Sequence, residues 1–374
     1  MIYLDNAATT FPKPLCMVTE LNNCLLKYCG NPGRSGHILS VKAAEKIYEC
    51  RETLADFFGS PNPENVVFTL NTTHALNLAI KSLYTENSHV LISNMEHNSV
   101  LRPIYNLKKE NRLDYSVFNV MQSTENIISE LNRKIRDNTD MLIMSHASNI
   151  CGKLFPIKKV GEFCSKHNIT FIVDAAQSAG IEKIDIEKCK IDALCAPAHK
   201  GLFGPQGLGF VIFGNRQPKR TLIEGGNGTN SLLEEMGLDL PESFEAGTMA
   251  TPLIAALNES VKWIKATGHD NIRNRETHLA NLLKDRLSTV KGSKFYGPET
   301  LETGIILYSN NSHDLDTITR IFNTNGICTR SGLHCAPIAH KTLSTPQNGA
   351  LRFSFSPFNT LKEVDEVYKT LKSI

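Results

Sequence analysis

Short apolar runs alternate with longer amphipathic stretches between residues 65 and 214. The runs are rich in β-branched residues and predict strands at 65–70, 89–93, 141–146, 169–175 and 208–214. The stretches between them have helical spacing and predict helices over 72–84, 97–109, 124–136 and 157–167. Because continuous apolar strands are buried on both faces, the alternation favours a mainly parallel sheet covered by helices.

The pattern changes near residue 250. Two long helical stretches, 252–266 and 270–290, lead into apolar runs at 303–309 and 351–356. This succession predicts a second, smaller α+β domain at the C-terminal end. A chain of 374 residues is long enough for two domains, so we expect an α/β fold with a large and a small domain.

Composition narrows the class of protein. The 41% hydrophobic and 21% charged residues are typical of a soluble globular protein, and 40 basic against 38 acidic residues give no basic surface for nucleic acid. We expect a cytoplasmic protein, because neither a signal peptide nor an apolar run of ~20 residues is present. The ten cysteines form no C-x-x-C pair, so we expect no metal site, and each is by default a buried hydrophobe or an idle thiol.

Polar residues follow the predicted strands, where ligands of α/β sheets bind. Thr72 and Thr73 open a helix, and two hydroxyls at a helix start can hold an anion, although simple N-capping is an alternative. His97 and Asn149 follow the next two strands. Asp174 ends an apolar strand, where a carboxylate usually has a cationic partner or else caps the next segment.

His199 and Lys200 precede a glycine-rich, otherwise apolar loop. Desolvation lowers the pKa of a lysine, and a neutral amine can form a Schiff base; an ordinary surface lysine is the alternative. An anion site, a histidine, a carboxylate and a lysine together are what pyridoxal 5′-phosphate (PLP) requires of a protein.

The sequence resembles the class V aminotransferase-fold PLP enzymes, specifically the cysteine desulfurase and selenocysteine lyase branch. The segments that carry the resemblance occur in the family's order and spacing along nearly the whole chain: YLDNAATTFPKP, FTLNTTHALNLA, EHNSV, SHASNICG, VDAAQSAG, HKGLFGPQGLG, EGGNGTNS, FEAGTMATP, RSGLHCAP and LRFSFSPFNT. The resemblance implies fold type I, with a large PLP-binding domain over 15–252 and a small domain from 1–14 and 253–374.

The resemblance also implies roles for residues toward PLP. Lys200 would carry the cofactor as a Schiff base and move the Cα proton, and Asp174 would pair with the pyridine nitrogen. The remaining contacts would be made by residues around the ring and the phosphate, namely Gln177 at the ring oxygen, His97 stacked on the ring, and Thr72, Thr73 and His199 at the phosphate. Thr248 would complete the phosphate site of the partner subunit, which implies a homodimer with shared active sites.

Substrate residues follow in the same way. Asn149 and Arg352 match the family's contacts to the substrate carboxylate, for which arginine offers a bidentate fork. Cys335 falls at the position that accepts sulfur as a persulfide, and neighbouring His334 is a candidate helper. Cys328 lies in a strand-like segment and is expected to be packed.

The leading functional prediction is therefore an L-cysteine desulfurase that passes sulfur to an acceptor protein. Three alternatives stay open at this point: a selenocysteine lyase, a class V transaminase or sulfur lyase that does not use Cys335, and a non-catalytic sulfur-relay scaffold. Two departures from the family pattern affect the site. Pro197 and Ala198 stand where a hydroxyl residue and a glycine are common, and Leu333 replaces a histidine.

Overall fold

The computed structural model describes residues 1–33, 36–226, 228, 232 and 234–373. Its strands are β1 (Ile2–Tyr3), β2 (Val66–Thr69), β3 (Ser88–Ser93), β4 (Leu113–Phe118), β5 (Thr139–Ser145), β6 (Thr170–Asp174), β7 (Ala193–Pro197), β8 (Gly209–Phe213), β9 (Ser293–Tyr296), β10 (Ile305–Asn310), β11 (Ile327–Cys328), β12 (Arg330–Gly332) and β13 (Ala350–Ser354). Its helices are α1 (Leu15–Lys27), α2 (Ile38–Phe58), α3 (Thr72–Leu83), α4 (Asn98–Lys109), α5 (Thr124–Lys134), α6 (Ile157–Lys166), α7 (Thr251–Thr267), α8 (His269–Ser288), α9 (Leu315–Thr324), α10 (Pro337–Thr342) and α11 (Leu361–Lys372).

Seven strands form the main sheet in the order β2-β8-β7-β6-β5-β3-β4. Strand β8 is antiparallel to both of its neighbours, β2 and β7, and the other pairings are parallel. No helix lies between β7 and β8, and a parallel return would need such a crossover. The predicted α/β class with a mainly parallel sheet is confirmed.

Helices cover both faces of this sheet. Along β3, Leu91 packs into one hydrophobic core, whereas Val90 and Ile92 pack into the other. This alternation follows from the two-residue period of side chains along a strand. These two cores cover both faces of the sheet. A ligand can therefore reach the sheet at the carboxyl ends of its strands.

A four-stranded antiparallel sheet, β12-β13-β10-β9, follows in the C-terminal part. The N-terminal segment joins it: β1 pairs in parallel with β11, and Leu4 is buried in the same core as α8 and α11. Helix α7 packs instead against α1 and α2. The residues after β1 therefore run from this second sheet toward the end of the main sheet.

Three further findings bear on the class of protein. Within the described ranges, no helix is long and apolar enough to cross a membrane. The same residues contain no group of three or more His, Cys, Asp or Glu side chains that could hold a metal ion. All ten cysteines are free thiols, and only Cys29 and Cys335 among them are exposed.

Candidate active site

A cavity of about 120 Å³ lies at the carboxyl ends of the strands of the main sheet. Its wall contains eight residues singled out from the sequence, namely Thr72, Thr73, His97, Asn149, Asp174, Gln177, His199 and Lys200. It also contains residues that sequence reasoning missed, among them Asn71, Ser99 and Ser145. Three predicted site residues, Thr248, Cys335 and Arg352, are not part of this wall.

The start of α3 forms one end of the cavity. Asn71 caps the helix by accepting a hydrogen bond from the His74 N–H (3.0 Å), so the helix needs neither threonine as its cap. The Thr73 hydroxyl lies 2.8 Å from that of Ser99. The hydroxyls of Thr72 and Thr73 therefore stand beside the positive end of a helix dipole, an arrangement that binds anions.

His97 caps α4 and is mostly buried. Its Nδ1 accepts a hydrogen bond from the Ser99 N–H (3.1 Å), which places the ring hydrogen of the neutral imidazole on Nε2. Burial and the charge of Lys200 lower the pKa of His97 to about 4. The ring is therefore a neutral planar surface at physiological pH.

Two acids lie at the centre of the sheet edge. Asp174 ends β6, is 5% exposed, and accepts a hydrogen bond from the Ala176 N–H (2.9 Å). Burial raises its pKa, and the charge of Lys200 opposes that shift. Glu96 is completely buried, accepts hydrogen bonds from Ser145, and has its pKa raised to about 8 by burial and the charge of Asp174. Glu96 is thus mostly a neutral acid at pH 7.

Lys200 follows β7 in a tight turn. Its pKa is lowered to about 8, chiefly by burial, with Arg352 and Arg330 adding to the effect and Asp174 opposing it. The backbone packs closely here, because a Cβ at Gly180 would lie 2.1 Å from the carbonyl oxygen of Gly201. A lysine with this pKa has a usable neutral amine near physiological pH.

The N-terminal segment holds the Lys200 turn through the His199 carbonyl oxygen. That oxygen accepts hydrogen bonds from the Lys13 ammonium (2.8 Å), the Thr10 N–H (3.1 Å) and the Thr9 hydroxyl (3.2 Å). The Thr10 hydroxyl also reaches the Lys200 carbonyl (3.1 Å). Burial lowers the pKa of Lys13 to about 8. Sequence reasoning missed Lys13 because its partner is a backbone atom far away in the chain.

Arg352 and Asn149 form a connected group next to the cavity. Arg352 is 1% exposed, pairs with Asp5 (2.7 Å), and donates to the Asn149 carbonyl oxygen (2.9 Å). The Arg352 Nε is buried without a hydrogen-bond partner among the described residues. The guanidinium therefore keeps an unsatisfied donor, as a carboxylate-binding arginine requires. Near this group, Gln177 donates to the Ala7 carbonyl oxygen (3.0 Å).

Cys335 lies in an ordered loop beside the same residues. Both His334 and Cys335 adopt positive φ angles, of 50° and 55°, which few residues other than glycine favour. Two hydrogen bonds hold this backbone: Asn149 donates to the His334 carbonyl (2.9 Å), and the Asn98 N–H donates to the Cys335 carbonyl (2.8 Å). The exposed sulfur of Cys335 is 3.8 Å from a guanidinium nitrogen of Arg330.

The buried His334 side chain forms hydrogen bonds within the loop that carries Cys335. Its Nε2 donates to the Arg330 carbonyl (3.1 Å), so its Nδ1 accepts from Nε2 of His340 (3.1 Å). His340 in turn accepts from the Thr345 hydroxyl (2.8 Å). Burial lowers the pKa of His334 to about 3 and that of His340 to about 4. Both nitrogens of His334 therefore have partners other than the Cys335 sulfur.

Thr248 lies outside the cavity on an exposed segment after Glu245. Glu245 is fixed in place, because it pairs with buried Arg51 and accepts the N–H of Phe68 (2.6 Å) in the edge strand β2. Arg51 also donates to the Val66 carbonyl of that strand. The Thr248 segment is thus anchored to the strand that leads into α3.

A sequence model of the aminotransferase class-V family matches residues 2–367. The chain belongs to this family. The family prediction from the sequence motifs is confirmed.

Several relatives and solved structures are similar over more than nine tenths of their own length. A probable cysteine desulfurase from Methanothermobacter thermautotrophicus is 31% identical, over 100% of this chain and 94% of its own. The apo structure of a cysteine desulfurase from Thermococcus onnurineus, 29% identical, matches with a TM-score of 0.89 over 100% of this chain and 94% of that one. A cysteine desulfurase structure from Escherichia coli, 21% identical, shares the fold with a TM-score of 0.87 over 99% of this chain and 94% of that one.

The family implies PLP, and the residues present fit that cofactor. Burial lowers the pKa of Lys200 and so favours a nucleophilic amine near neutral pH, and the Asp174 carboxyl group in the same cavity is a partner for a protonated ring nitrogen. His199 Nδ1 is buried without a hydrogen-bond partner among the described residues, and the α3 hydroxyls offer further donors to a phosphate. Pro197 stands where a hydroxyl residue is common and supplies no hydroxyl, so the phosphate contacts fall to these groups.

Proposed function

We propose that the protein is a PLP-dependent cysteine desulfurase that converts L-cysteine to L-alanine and keeps the sulfur as a persulfide on Cys335. One observation carries the proposal beyond the family. The exposed Cys335 sulfur lies on a backbone that is hydrogen-bonded to Asn149, a residue of the cavity wall, and it has Arg330 at 3.8 Å. A thiolate there has both a cation and access to substrate.

Different residues of the cavity would hold different parts of the cofactor. Lys200 would hold PLP covalently, Asp174 would keep its ring nitrogen protonated, and His97 would cover its ring. Thr72, Thr73, Gln177 and His199 would bind its phosphate and ring oxygens. When bound, PLP withdraws electrons from the substrate Cα and so weakens its bonds to hydrogen and, one carbon further, to sulfur.

The sulfur step balances without an external oxidant. The Cys335 thiolate attacks the substrate sulfur, an S–S bond forms, and the bond between Cβ and sulfur breaks. The electron pair of that bond goes to Cβ, which takes up a proton and becomes the methyl group of alanine. The neutral amine of Lys200 takes the Cα proton and returns it, while Arg352 and Asn149 hold the substrate carboxylate. A sulfur-acceptor protein would then remove the persulfide sulfur from the exposed loop.

A homodimer completes the proposed site. Helices α1 and α2 expose large apolar side chains, including Leu26 and Ile38, each 82% exposed, and such a surface is typical of an interface. Thr248 of the partner subunit would then add a hydroxyl to the phosphate site. We also propose that the large domain spans 15–252, that 1–14 and 253–374 form the small domain, and that the enzyme is cytoplasmic.

Purified wild type and three alanine variants test the proposal. We expect yellow wild type that forms alanine from cysteine, and yellow Cys335→Ala that forms little. Lys200→Ala should lose the bound-cofactor absorbance and the activity together. Cys29→Ala is the matched control, since Cys29 is the other exposed cysteine of the chain and lies far from the cavity residues in sequence. Equal alanine formation by wild type and Cys335→Ala would contradict the persulfide role.

The same assay with L-selenocysteine separates the proposed reaction from a selenocysteine lyase. Selenium is the better leaving atom, so Cys335→Ala should retain selenocysteine cleavage while losing cysteine cleavage. Wild type that cleaves selenocysteine and ignores cysteine would replace the desulfurase by the lyase.

A further inference from the structure

A second, smaller cavity of about 30 Å³ also has Lys200 and Gln177 in its wall. Because these two residues line the cofactor cavity as well, Lys200 stands between the two spaces. The lining of the second cavity is mixed: Asn6, Thr303 and Ser354 are polar, whereas Ile181, Ile305 and Phe355 are apolar. Its volume has room for roughly one or two water molecules.

Glu276 of α8 lines this second cavity and is 5% exposed. Its carboxyl group has no hydrogen bond or ion pair with any residue that the structure describes. The neighbouring buried acid Glu182 differs, because it pairs with Arg273 at 3.0 Å. An ionised carboxylate without a partner is costly to bury, and burial accordingly raises the pKa of Glu276 well above its ordinary value.

Gly304 leaves room for the Glu276 side chain beside the second cavity. A Cβ at Gly304 would lie 2.9 Å from the Glu276 Cβ and 3.5 Å from its Oε2. A larger residue than glycine would therefore push the acid away from the cavity. The Thr303 hydroxyl is buried without a partner among the described residues, so a water in the cavity would find donors and acceptors on several sides.

The proposed reaction, on which this inference rests, needs a proton donor for Lys200. Cysteine and the Cys335 thiol become alanine and a persulfide, so the proton released when Cys335 ionises must finally reach Cβ. Two protons end on carbon, one at Cα and one at Cβ, whereas Lys200 takes only one from the substrate. If Lys200 delivers both, its amine must take up one further proton between the two deliveries. A neutral carboxylic acid that lines the same cavity as Lys200 can supply that proton through water, and it takes up in return the proton that Cys335 released.

We propose that Glu276 is held as a neutral acid and exchanges protons with Lys200 through water in the second cavity. Glu276 is a positioning residue for the Lys200 proton and does not touch substrate. Glu276→Gln keeps the shape and removes the exchangeable acid proton. We expect kcat to fall about tenfold or more, KM for cysteine to change little, and the solvent deuterium isotope effect on kcat to rise.

Infrared spectroscopy supplies a readout that does not need activity. The spectrum of wild type minus that of Glu276→Gln at pH 7 should contain the carbonyl stretch of a protonated carboxylic acid. Difference intensity in the carboxylate region alone would overturn the proposal. Should Glu276→Gln fail to fold, Glu276→Asp retains an acid, and the difference spectrum should then show a shifted protonated-acid band.

Glu182→Gln is the matched control, because it removes a buried acid of α8's neighbourhood that lines neither cavity. Its kcat and isotope effect should equal those of wild type. An unchanged kcat and isotope effect in Glu276→Gln would also overturn the proposal. Wild type that makes no alanine from cysteine contradicts the proposed function instead, and the infrared band still reports the protonation of Glu276.

Discussion

At the scale of single residues, burial is the main cause of the pKa shifts in this site. Lys200 and Lys13 both have a pKa near 8, and His97 and His199 a pKa near 4, with burial the largest cause each time. The two imidazoles are therefore neutral at physiological pH, and each amine has a neutral fraction that an ordinary lysine lacks. A neutral imidazole can cover a ring, and an amine with this pKa can both take up and give a proton.

Lys13 should position Lys200 through the His199 carbonyl oxygen. In Lys13→Met the ammonium donor is lost, while the Thr9 and Thr10 donors remain. We expect weaker cofactor retention and a loss of about tenfold in kcat/KM, equivalent to about 1.4 kcal/mol. Absorbance of the bound cofactor against added PLP measures the first effect. Lys13→Arg retains a donor and should recover most of both, and equal retention by Lys13→Met and wild type would contradict the role.

His340 should stabilise the Cys335 loop only while its ring is neutral. In His340→Leu, Nδ1 of His334 loses its donor and the Thr345 hydroxyl loses its shortest hydrogen bond, so we expect a loss of about 2 kcal/mol in the free energy of unfolding at pH 7. The folded pKa of about 4 is below the ordinary 6.5, so the unfolded chain takes up the proton first as pH falls. The stability difference between wild type and variant should therefore shrink from pH 6.5 toward pH 4. Urea unfolding at several pH values measures it, and a pH-independent difference would contradict this reasoning.

At the scale of elements, the apolar runs predicted five strands of the main sheet and missed β4 and β7. Strand β4 is an edge strand with half-exposed middle residues, so it has no continuous apolar run. Strand β7, ALCAP, is completely buried but short, and it contains small residues and a proline. That strand carries His199 and Lys200 to the site, so the most important strand for the chemistry had the weakest signal.

Part of the site was predictable from the order of the parallel strands. Residues that follow parallel strands meet at one edge of the sheet, and Thr72, His97 and Asp174 do meet there. Glu96 and Glu276 could not be recognised, because what distinguishes them is complete burial without a cation, which depends on tertiary packing. The roles of the site residues and the division into domains at residue 252 stay predictions.

Arg51 and Glu245 join α2, the edge strand β2 and the Thr248 segment. Their side chains are 7% and 6% exposed. Arg51→Met would leave Glu245 buried and unpaired, so we expect a loss of about 3–5 kcal/mol in the free energy of unfolding. The double variant Arg51→Met with Glu245→Gln should recover a large part of it. Denaturant unfolding of the two single variants and the double variant measures the coupling, and simple additivity would contradict a direct pair.

At the scale of the whole molecule, we expect a second subunit to bury the exposed apolar side chains of α1 and α2. We expect wild type to be a dimer in solution and Ile38→Glu to be a monomer with weak cofactor binding, because a charge at a packed interface is strongly unfavourable. Leu361→Glu, at a 47% exposed leucine of α11, is the control and should remain dimeric. Sedimentation velocity distinguishes these outcomes, and a monomeric wild type would contradict the shared site.

Mixed dimers test whether Thr248 crosses the interface. When Lys200→Ala subunits are mixed with Thr248→Ala subunits, a shared site leaves one fully intact site in each mixed dimer. Activity should therefore exceed the sum of the two separate preparations. If Thr248 serves its own subunit, no intact site forms and mixing recovers nothing.

The central claim is that Cys335 receives the sulfur of cysteine. The most direct measurement is the mass of wild-type, Cys335→Ala and Cys29→Ala protein after a single turnover with L-cysteine and without a thiol reductant, followed by location of the modified peptide. We predict a mass increase of one sulfur atom on the peptide containing Cys335 in wild type and Cys29→Ala, with one alanine formed per modified subunit. Alanine formation without added sulfur at Cys335, or the same added mass in Cys335→Ala, would contradict the account.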